Sequence, residues 1–166
     1  MLLDNKIYIK KAGICIISAN QNGNSEYEAA KTVVKTLKVE KLNQTINFNL
    51  PPSVLVDKNW LDLNAISNSG LSVNYEVSDS SIAYIQGNRL MFLSSGYCSI
   101  KASQNGNDIY NEANSVVRTI KIEKINQTMQ FDIPQIVSTD KKEIDLNAIG
   151  SSGLIVEYEV SDTNIA

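Results

Sequence analysis

The sequence repeats itself at an interval of half its own length, and this repeat constrains the possible folds more than any other feature. Shifted by 83 positions, the 166-residue chain aligns with itself without a gap, and 41 of the 83 residue pairs are identical. Gln21–Asn24 matches Gln104–Asn107, and Tyr75–Asp79 matches Tyr158–Asp162. The chain therefore contains two copies of one unit.

Within the repeat, short runs of β-branched and aromatic residues alternate with turn-forming pairs such as Gly87-Asn88 and Ser95-Gly96, and no convincing helical period is present. Read from Leu42, seven runs are predicted to be strands: 45–50, 60–66, 72–78, 82–86, 89–93, 97–103 and 115–122. Seven short strands within one 83-residue unit are typical of an all-β sandwich.

The boundaries of the units follow from this reading. Residues 42–124 form one complete unit, residues 1–41 supply the last three strands of a preceding unit, and residues 125–166 supply the first four strands of a following one. We therefore expect the chain to be an excerpt of a longer tandem array. A cut into two self-contained, permuted domains, each one half of the chain, is the alternative.

The stretch from Gly70 to Phe131 carries a recurring set of motifs. They are Tyr-x-Val-Ser-Asp, a glycine before the sixth strand, Ile-x-Ala-Ser-Gln-x-Gly-Asn-x-x-Tyr, and Gln-Thr-hydrophobic-x-Phe. This pattern resembles the bacterial immunoglobulin-like (Big) tandem repeats of secreted and cell-surface proteins. The resemblance implies an immunoglobulin-like β-sandwich in 83-residue tandem repeats, in an extracellular or cell-surface bacterial setting. Such repeats serve as stalks, spacers and adhesin segments.

Charge and composition exclude several classes of partner. With 18 acidic and 15 basic residues the net charge is −3, which offers no electrostatic footprint for nucleic acid and no polybasic patch for membranes. No apolar run approaches 18 residues, so no membrane insertion is expected. The first residues lack the pattern of a signal peptide. Histidine, the commonest general base, is absent.

The two cysteines, Cys15 and Cys98, occupy the same position in successive repeats, so neither can form a disulfide within its own unit. Alternation along the strand places Cys98 with Ile100 and Ala102 on the face expected to be the core. We predict that Cys98 is buried and unreactive. A reactive or bridging thiol is the alternative, mainly at Cys15.

The loops 21–24 and 104–107, both Gln-Asn-Gly-Asn, are predicted to be structural corners, because asparagine and glycine tolerate positive φ. Two alternatives are a weak calcium site that includes Asp108 or Glu112, and a loop that binds a glycan or protein. Tyr27 and Tyr110 are predicted to pack their rings under these loops, with the hydroxyl bonded to nearby backbone.

The remaining candidates are predicted to be surface or strand positions. Trp60, whose counterpart is Glu143, is expected to be exposed or at an edge. Asn43-Gln44-Thr45 matches a glycosylation sequon but is read as polar strand positions. The carboxylates are expected to face water: Asp62, Glu76, Asp145 and Glu159. No catalytic, cofactor-binding or metal-binding residue is therefore predicted.

The junction Lys38–Gln44 contains neither glycine nor proline, which favours a semi-rigid connection between units. We accordingly predict a non-enzymatic stalk or spacer whose partners are neighbouring immunoglobulin-like repeats. An adhesin-type module that contacts glycan or protein through its loops is the alternative. The half units 1–41 and 125–166 together amount to one unit, so head-to-tail self-association between molecules is also expected.

Overall fold

The computed structural model describes residues 2–3, 5–163 and 165. The chain divides into two compact units, Met1–Glu123 and Lys124–Ala166. Apart from one 3-10 turn at Val56–Lys58, the regular elements among the described residues are strands. The strands are β1 (Leu2–Leu3), β2 (Lys6–Ile7), β3 (Gly13–Ala19), β4 (Val33–Val39), β5 (Ile46–Asn47), β6 (Ser53–Leu55), β7 (Trp60–Asp62), β8 (Ile66–Ser67), β9 (Asn74–Val77), β10 (Ala83–Gln86), β11 (Arg89–Phe92), β12 (Gly96–Ser103), β13 (Val116–Glu123), β14 (Met129–Gln130) and β15 (Ile149–Gly150).

Several sheets in the first unit share one core. A three-stranded sheet has the order β10-β11-β7, a four-stranded sheet has the order β6-β13-β12-β9, and β5 pairs with β8. These pairings are antiparallel except for β6 with β13. The core cluster draws on all three sheets and consists of Ile46, Phe48, Val54, Leu63, Ala83, Leu90, Cys98, Ile100, Ala102, Ala113, Ile120 and Ile122. The all-β class is as predicted, and the arrangement is compatible with a β-sandwich.

Strand β12 illustrates how the sequence pattern produces this core. Cys98, Ile100 and Ala102 are fully buried, whereas Tyr97 and Lys101 are exposed. This alternation follows from the two-residue period of a strand and confirms the predicted core face. The apolar side of the strand is therefore determined by local sequence.

Two details of the strand prediction are wrong. The run 60–66 is two strands, because the chain changes sheets within it: β7 pairs with β11, and β8 pairs with β5. Strand β6 was not predicted: it follows Pro51-Pro52 in the interval between the predicted strands 45–50 and 60–66. A proline lacks the amide donor but keeps its carbonyl acceptor, and the Pro52 oxygen accepts a bond from the Lys121 amide at 3.1 Å.

Three strand pairings recur at an offset of one repeat. In β1–β2, Leu2 lies opposite Ile7, as Ile85 lies opposite Leu90 in β10–β11. The β3–β4 pairing begins with Gly13 opposite Val39, matching Gly96 opposite Ile122 in β12–β13. In the second unit, the β14–β15 pairing repeats the β5–β8 register. Local pairing thus follows local sequence in both units.

Candidate functional site

A buried cluster of polar side chains lies beneath the 104–107 loop and centres on Gln44. The Gln44 Nε2 donates to Gln104 Oε1 at 2.7 Å and to the Asn111 carbonyl at 2.6 Å. Its Oε1 accepts from the hydroxyls of Ser67 at 2.7 Å and Ser69 at 2.5 Å. The side-chain amide therefore uses both of its hydrogens and both of its lone pairs. We call this group the Gln44 cluster.

Sequence reasoning missed this role of Gln44. The residue was read as a polar strand position beside a sequon, whereas it is only 5% exposed and joins residues about 60 positions apart. Among the described residues, no buried side-chain nitrogen or oxygen lacks a partner. The available signal was that Gln44 and Gln104 both have a glutamine at the equivalent position of the other copy, Gln127 and Gln21.

The 104–107 loop is closed by its own side chains. Gln104 Oε1 accepts from the Gly106 amide, and Asn107 Oδ1 accepts from the amides of Ile109 at 2.8 Å and Tyr110 at 2.9 Å. Gly106 has a φ of +75°, and a Cβ at this position would overlap the Tyr110 carbonyl oxygen. The loop is therefore a structural corner, as predicted.

The calcium alternative finds no preformed geometry at this loop. The Asn107 side-chain oxygen is already bonded to two amides, and Asp108 and Glu112 are both exposed. Within the described part of the chain, no three His, Cys, Asp or Glu side chains are grouped so that they could hold a metal ion.

The earlier loop repeats the same bonds. Gln21 Oε1 accepts from the Gly23 amide at 2.7 Å, and Asn24 Oδ1 accepts from the amides of Glu26 and Tyr27, each at 2.9 Å. The environment differs, because Gln21 is exposed whereas Gln104 is buried. The loop forms without the rest of a Gln44-type cluster.

The prediction that the hydroxyls of Tyr27 and Tyr110 bond to nearby backbone is wrong, and so is the predicted packing of the Tyr27 ring. Tyr27 is 71% exposed and Tyr110 is half-buried, and neither hydroxyl hydrogen-bonds to another described residue. Their backbones close the loops instead: the Asn24 amide donates to the Tyr27 carbonyl at 2.9 Å, and the Asn107 amide donates to the Tyr110 carbonyl at 3.0 Å. What the two tyrosines share is this backbone role in closing the loop.

The tyrosines that do pin a corner are Tyr75 and its counterpart Tyr158. The Tyr75 hydroxyl accepts from the Ala65 amide at 2.8 Å and donates to the Leu63 carbonyl at 2.9 Å. The Tyr158 hydroxyl makes the equivalent bonds, with the Ala148 amide at 2.9 Å and the Leu146 carbonyl at 2.8 Å. The repeated Tyr-x-Val-Ser-Asp motif was the signal for this role.

The segment that follows the 104–107 loop hydrogen-bonds to residues 12 and 42, which lie earlier in the first unit. The Leu42 amide donates to the Ile109 carbonyl and the Asn111 amide donates to the Leu42 carbonyl, both at 2.8 Å. The Ala12 amide donates to the Asp108 carbonyl at 3.1 Å. An apolar groove at this point is lined by Ile9, Val39, Leu42 and Ile109. We call this contact the 42/109 junction.

The two cysteines have different environments. Both are free, and Cys98 is fully buried as predicted, whereas Cys15 at the equivalent position is exposed. Burial in apolar surroundings keeps a thiol unreactive. Cys15 is thus the thiol open to reagents.

The candidate carboxylates lie in surface contacts. Asp62 pairs with Arg89 at 3.3 Å, and the Arg89 guanidinium also lies 4.0 Å from the centroid of the Trp60 ring. Glu76 pairs with Lys101 at 3.3 Å. All four charged side chains are about half exposed or more, and pairs of this kind contribute little to stability. Asp145 and Glu159 are also exposed, and Trp60 lies partly exposed at its strand, as predicted.

Two pKa shifts have local causes. The Ser81 hydroxyl and amide hydrogen-bond to Asp79 at 2.6 and 2.9 Å and lower the pKa of its carboxyl. A hydrogen bond from Lys121 to Glu123, at 3.0 Å, raises the pKa of the lysine. Both groups lie at the surface and belong to a turn and a strand end.

Comparison with known proteins found no matching family model and no matching curated protein. Among the described residues, the structure has no helix with the length and apolar character needed to cross a membrane. The class that the structure defines is an all-β chain with several sheets.

Proposed function

We propose that the chain is a non-enzymatic stalk or spacer, built from tandem immunoglobulin-like repeats similar to the bacterial Big type, in a surface or secreted protein. The observation that carries the proposal is the 42/109 junction. There, Leu42, the first residue of the unit 42–124, bonds through its backbone amide and carbonyl to the segment that follows the 104–107 loop, and Ala12 of the preceding unit bonds to the same segment.

This junction restricts bending for a simple reason. A residue bonded through both backbone groups cannot change φ or ψ freely without losing a hydrogen bond, at about 0.5–1.5 kcal/mol each. The Ala12–Asp108 bond adds a third attachment, and the apolar groove around Ile9 and Ile109 adds contact area. The connecting segment also contains no glycine that would add flexibility.

The geometry of the central hairpin supports a spacer role. Strands β12 and β13 pair along their length, and the 104–107 loop lies at one end of this hairpin while residue 123 lies at the other. Eight residues at ~3.3 Å each separate the two ends by roughly 26 Å. Leu42 is therefore attached at the loop end of this hairpin while residue 123 lies at its other end, and we expect this placement to add length with each unit of a tandem array.

The test measures the width of a distance distribution across the 42/109 junction, which reports how much the chain bends there. Spin labels are placed on T36C and S80C in a C15S background, where Cys98 is buried and stays unlabelled. Pulsed electron resonance of the dilute full chain is expected to give one narrow distance distribution. L42G should broaden it, because glycine removes the apolar contact and adds backbone freedom.

The matched control is L93G, which changes a leucine with the same 57% exposure as Leu42 but outside the 42/109 junction. It should leave the distribution narrow. A broad distribution in the parent chain would overturn the spacer proposal. Saturable binding of the chain to glycans or to host-cell protein would favour the adhesin-type module instead.

A further inference from the structure

Two surfaces that are buried in the central part of the chain are left open at its flanks. Cys15 and Ala19 are exposed in β3, whereas their counterparts Cys98 and Ala102 are fully buried in β12. In the second unit, Val137 is exposed whereas its counterpart Val54 is buried. Each flank therefore presents an apolar face that the central copy covers with its other half.

The pairings of the central copy identify what would cover these faces. Besides the isolated bridge between Leu42 and Tyr110, three strand pairings join its first half to its second half: β11 with β7, β12 with β9, and β13 with β6. Among the described residues, none of the three recurs in the flanks, although every pairing internal to a half does. The flank 5–41 corresponds to one half, and the flank 125–163 corresponds to the other.

The charges of the two flanks are complementary. Residues 1–41 hold seven lysines and four acidic residues, a net charge of +3. Residues 125–166 hold two lysines and seven acidic residues, a net charge of −5. Opposite net charges attract and accelerate association, and they do so less at high salt.

We propose that, between molecules of this 166-residue chain, the flank 125–163 of one copy packs against the flank 5–41 of a second and completes a set of sheets equivalent to the central one. In a longer tandem array, the neighbouring repeats would supply the same contacts within the chain. The register follows from the central pairings shifted by one repeat. Lys6 would lie opposite Asp145, Ile17 opposite Val160, and Val39 opposite Val137. In this register, Lys6 and Asp145 take the positions of the central Arg89–Asp62 ion pair, so a basic residue again lies opposite an acidic one.

The polar groups are also in place for this contact. Ser152 Oγ donates to Gln127 Oε1 in the second unit, as Ser69 donates to Gln44. Gln21 is the counterpart of Gln104 and is exposed. In the completed copy, Gln127 of one molecule would donate to Gln21 of the next, which restores the central part of a Gln44-type cluster across the interface.

A second copy is the occupant that the observations favour, because every copy carries both flanks and the net charges of the two flanks are opposite. The interface joins two different surfaces, so each added molecule leaves one of each open, and growth has no closed end point.

The test combines sedimentation velocity with alkylation of Cys15. From micromolar to millimolar concentration, the mean mass of the full chain should rise without reaching a limit, and high salt should reverse the rise. The alkylation rate of Cys15 should fall over the same range, because Cys15 takes the buried position of Cys98. Constant mass together with a constant alkylation rate would overturn the proposal.

Two adjacent isoleucines provide a matched pair of variants. I17D places a charge at the position equivalent to fully buried Ile100, and it should weaken association at least about 100-fold. I16D alters the neighbouring residue, which is 71% exposed on the opposite face of β3, and should leave association within about twofold. Equal effects of the two variants would contradict the proposed face.

Charge exchange tests the register without relying on a destabilised variant. K6E and D145K should each weaken association about two- to fivefold, and the double variant should restore it, because each interface then pairs Glu with Lys. K31E makes the same charge change at an exposed residue outside the predicted pairings, and D145K should not rescue it. Rescue of K31E, absence of rescue of K6E, a closed dimer, or a monomer with protected Cys15 would each overturn the head-to-tail arrangement.

Discussion

Phe48 and Phe131 occupy equivalent positions in successive repeats, and their surroundings agree in one respect and differ in another. Phe48 packs on Tyr75 with ring centroids 5.7 Å apart, and Phe131 packs on Tyr158 at 5.6 Å, with almost the same tilt. Yet Phe48 is 1% exposed and Phe131 is 44% exposed. The aromatic pair forms in both places, but only the central copy encloses it.

The backbone groups bonded to these two tyrosines show the same combination of equivalent contacts and different burial. The tyrosine hydroxyls of both pairs make equivalent bonds across ten and twelve residues. The accepting residue Leu63 is 1% exposed, and its counterpart Leu146 is 38% exposed. Contacts within one half of the repeat are therefore specified by that half, whereas burial requires the opposing half.

The largest difference in stability is expected when each of the two phenylalanines is truncated to alanine. F48A should lower the free energy of unfolding by about 3–5 kcal/mol, because it removes a fully buried ring and leaves a cavity. F131A should cost less than about 1 kcal/mol, because its ring is already partly solvated. Urea unfolding of the dilute full chain, followed by the fluorescence of Trp60, measures the first effect; Trp60 is the only tryptophan.

The second effect needs a reporter in the second unit. E143W in a W60F background places a tryptophan at the position equivalent to Trp60. If F131A destabilised the dilute chain as much as F48A, the flank would already be enclosed and the comparison would fail. At concentrations where chains associate, the cost of F131A should increase.

The next test concerns the Gln44 cluster. Q44L should lower the free energy of unfolding by about 1–3 kcal/mol, because it leaves the Asn111 carbonyl and the two serine hydroxyls without their buried partner. Q127L should change it by less than about 0.5 kcal/mol, because the partner Ser152 is exposed and can bond to water. The same two fluorescence reporters measure both, and equal losses would show that burial does not distinguish the two clusters.

A smaller difference is expected for the tyrosine corner. Y75F removes the bonds to the Ala65 amide and the Leu63 carbonyl and should cost about 0.5–1.5 kcal/mol. Y158F removes equivalent bonds at a more exposed site, so it should lower the free energy of unfolding by only a few tenths of the amount lost in Y75F. Amide hydrogen exchange at Ala65 and Ala148 checks each bond directly: both amides should exchange faster in the respective variants, and unchanged protection at Ala65 would exclude the pinning role.

Much of the fold could be predicted because it depends on local sequence. The alternation in β12 gave the core face, and the glycine and asparagine of the 104–107 loop gave its turn. The change of sheet between β7 and β8 was not predictable, because both lie in one continuous strand-like run and choose different distant partners. Parallel pairing of β6 with β13 likewise depends on residues about 68 positions away.

The candidate site was predicted less well for the same reason. Buried or exposed placement of Gln44, Tyr75 and Tyr110 depends on what lies opposite them rather than on their neighbours in sequence. A repeat shows that a residue is retained at a position without showing whether its ring, its hydroxyl or its backbone is used. Tyr110, whose backbone closes a loop, and Tyr75, whose hydroxyl pins a corner, illustrate this.

The smallest effect to be tested is the pKa of Asp79, which the comparison predicts to depend only on its own turn. The hydrogen bond from the Ser81 hydroxyl is the main cause that lowers this pKa below its ordinary value of 3.8. A lowered pKa in the folded state contributes stability above the unfolded value, and this contribution is lost as the pH falls through the folded value.

Carboxyl NMR titration should therefore place the Asp79 midpoint below 3.8. S81A should raise the midpoint, and S80A, at an exposed neighbour, should not. A midpoint that moved with F48A, a core variant outside this turn, would show that the pKa of Asp79 does not depend on its own turn alone.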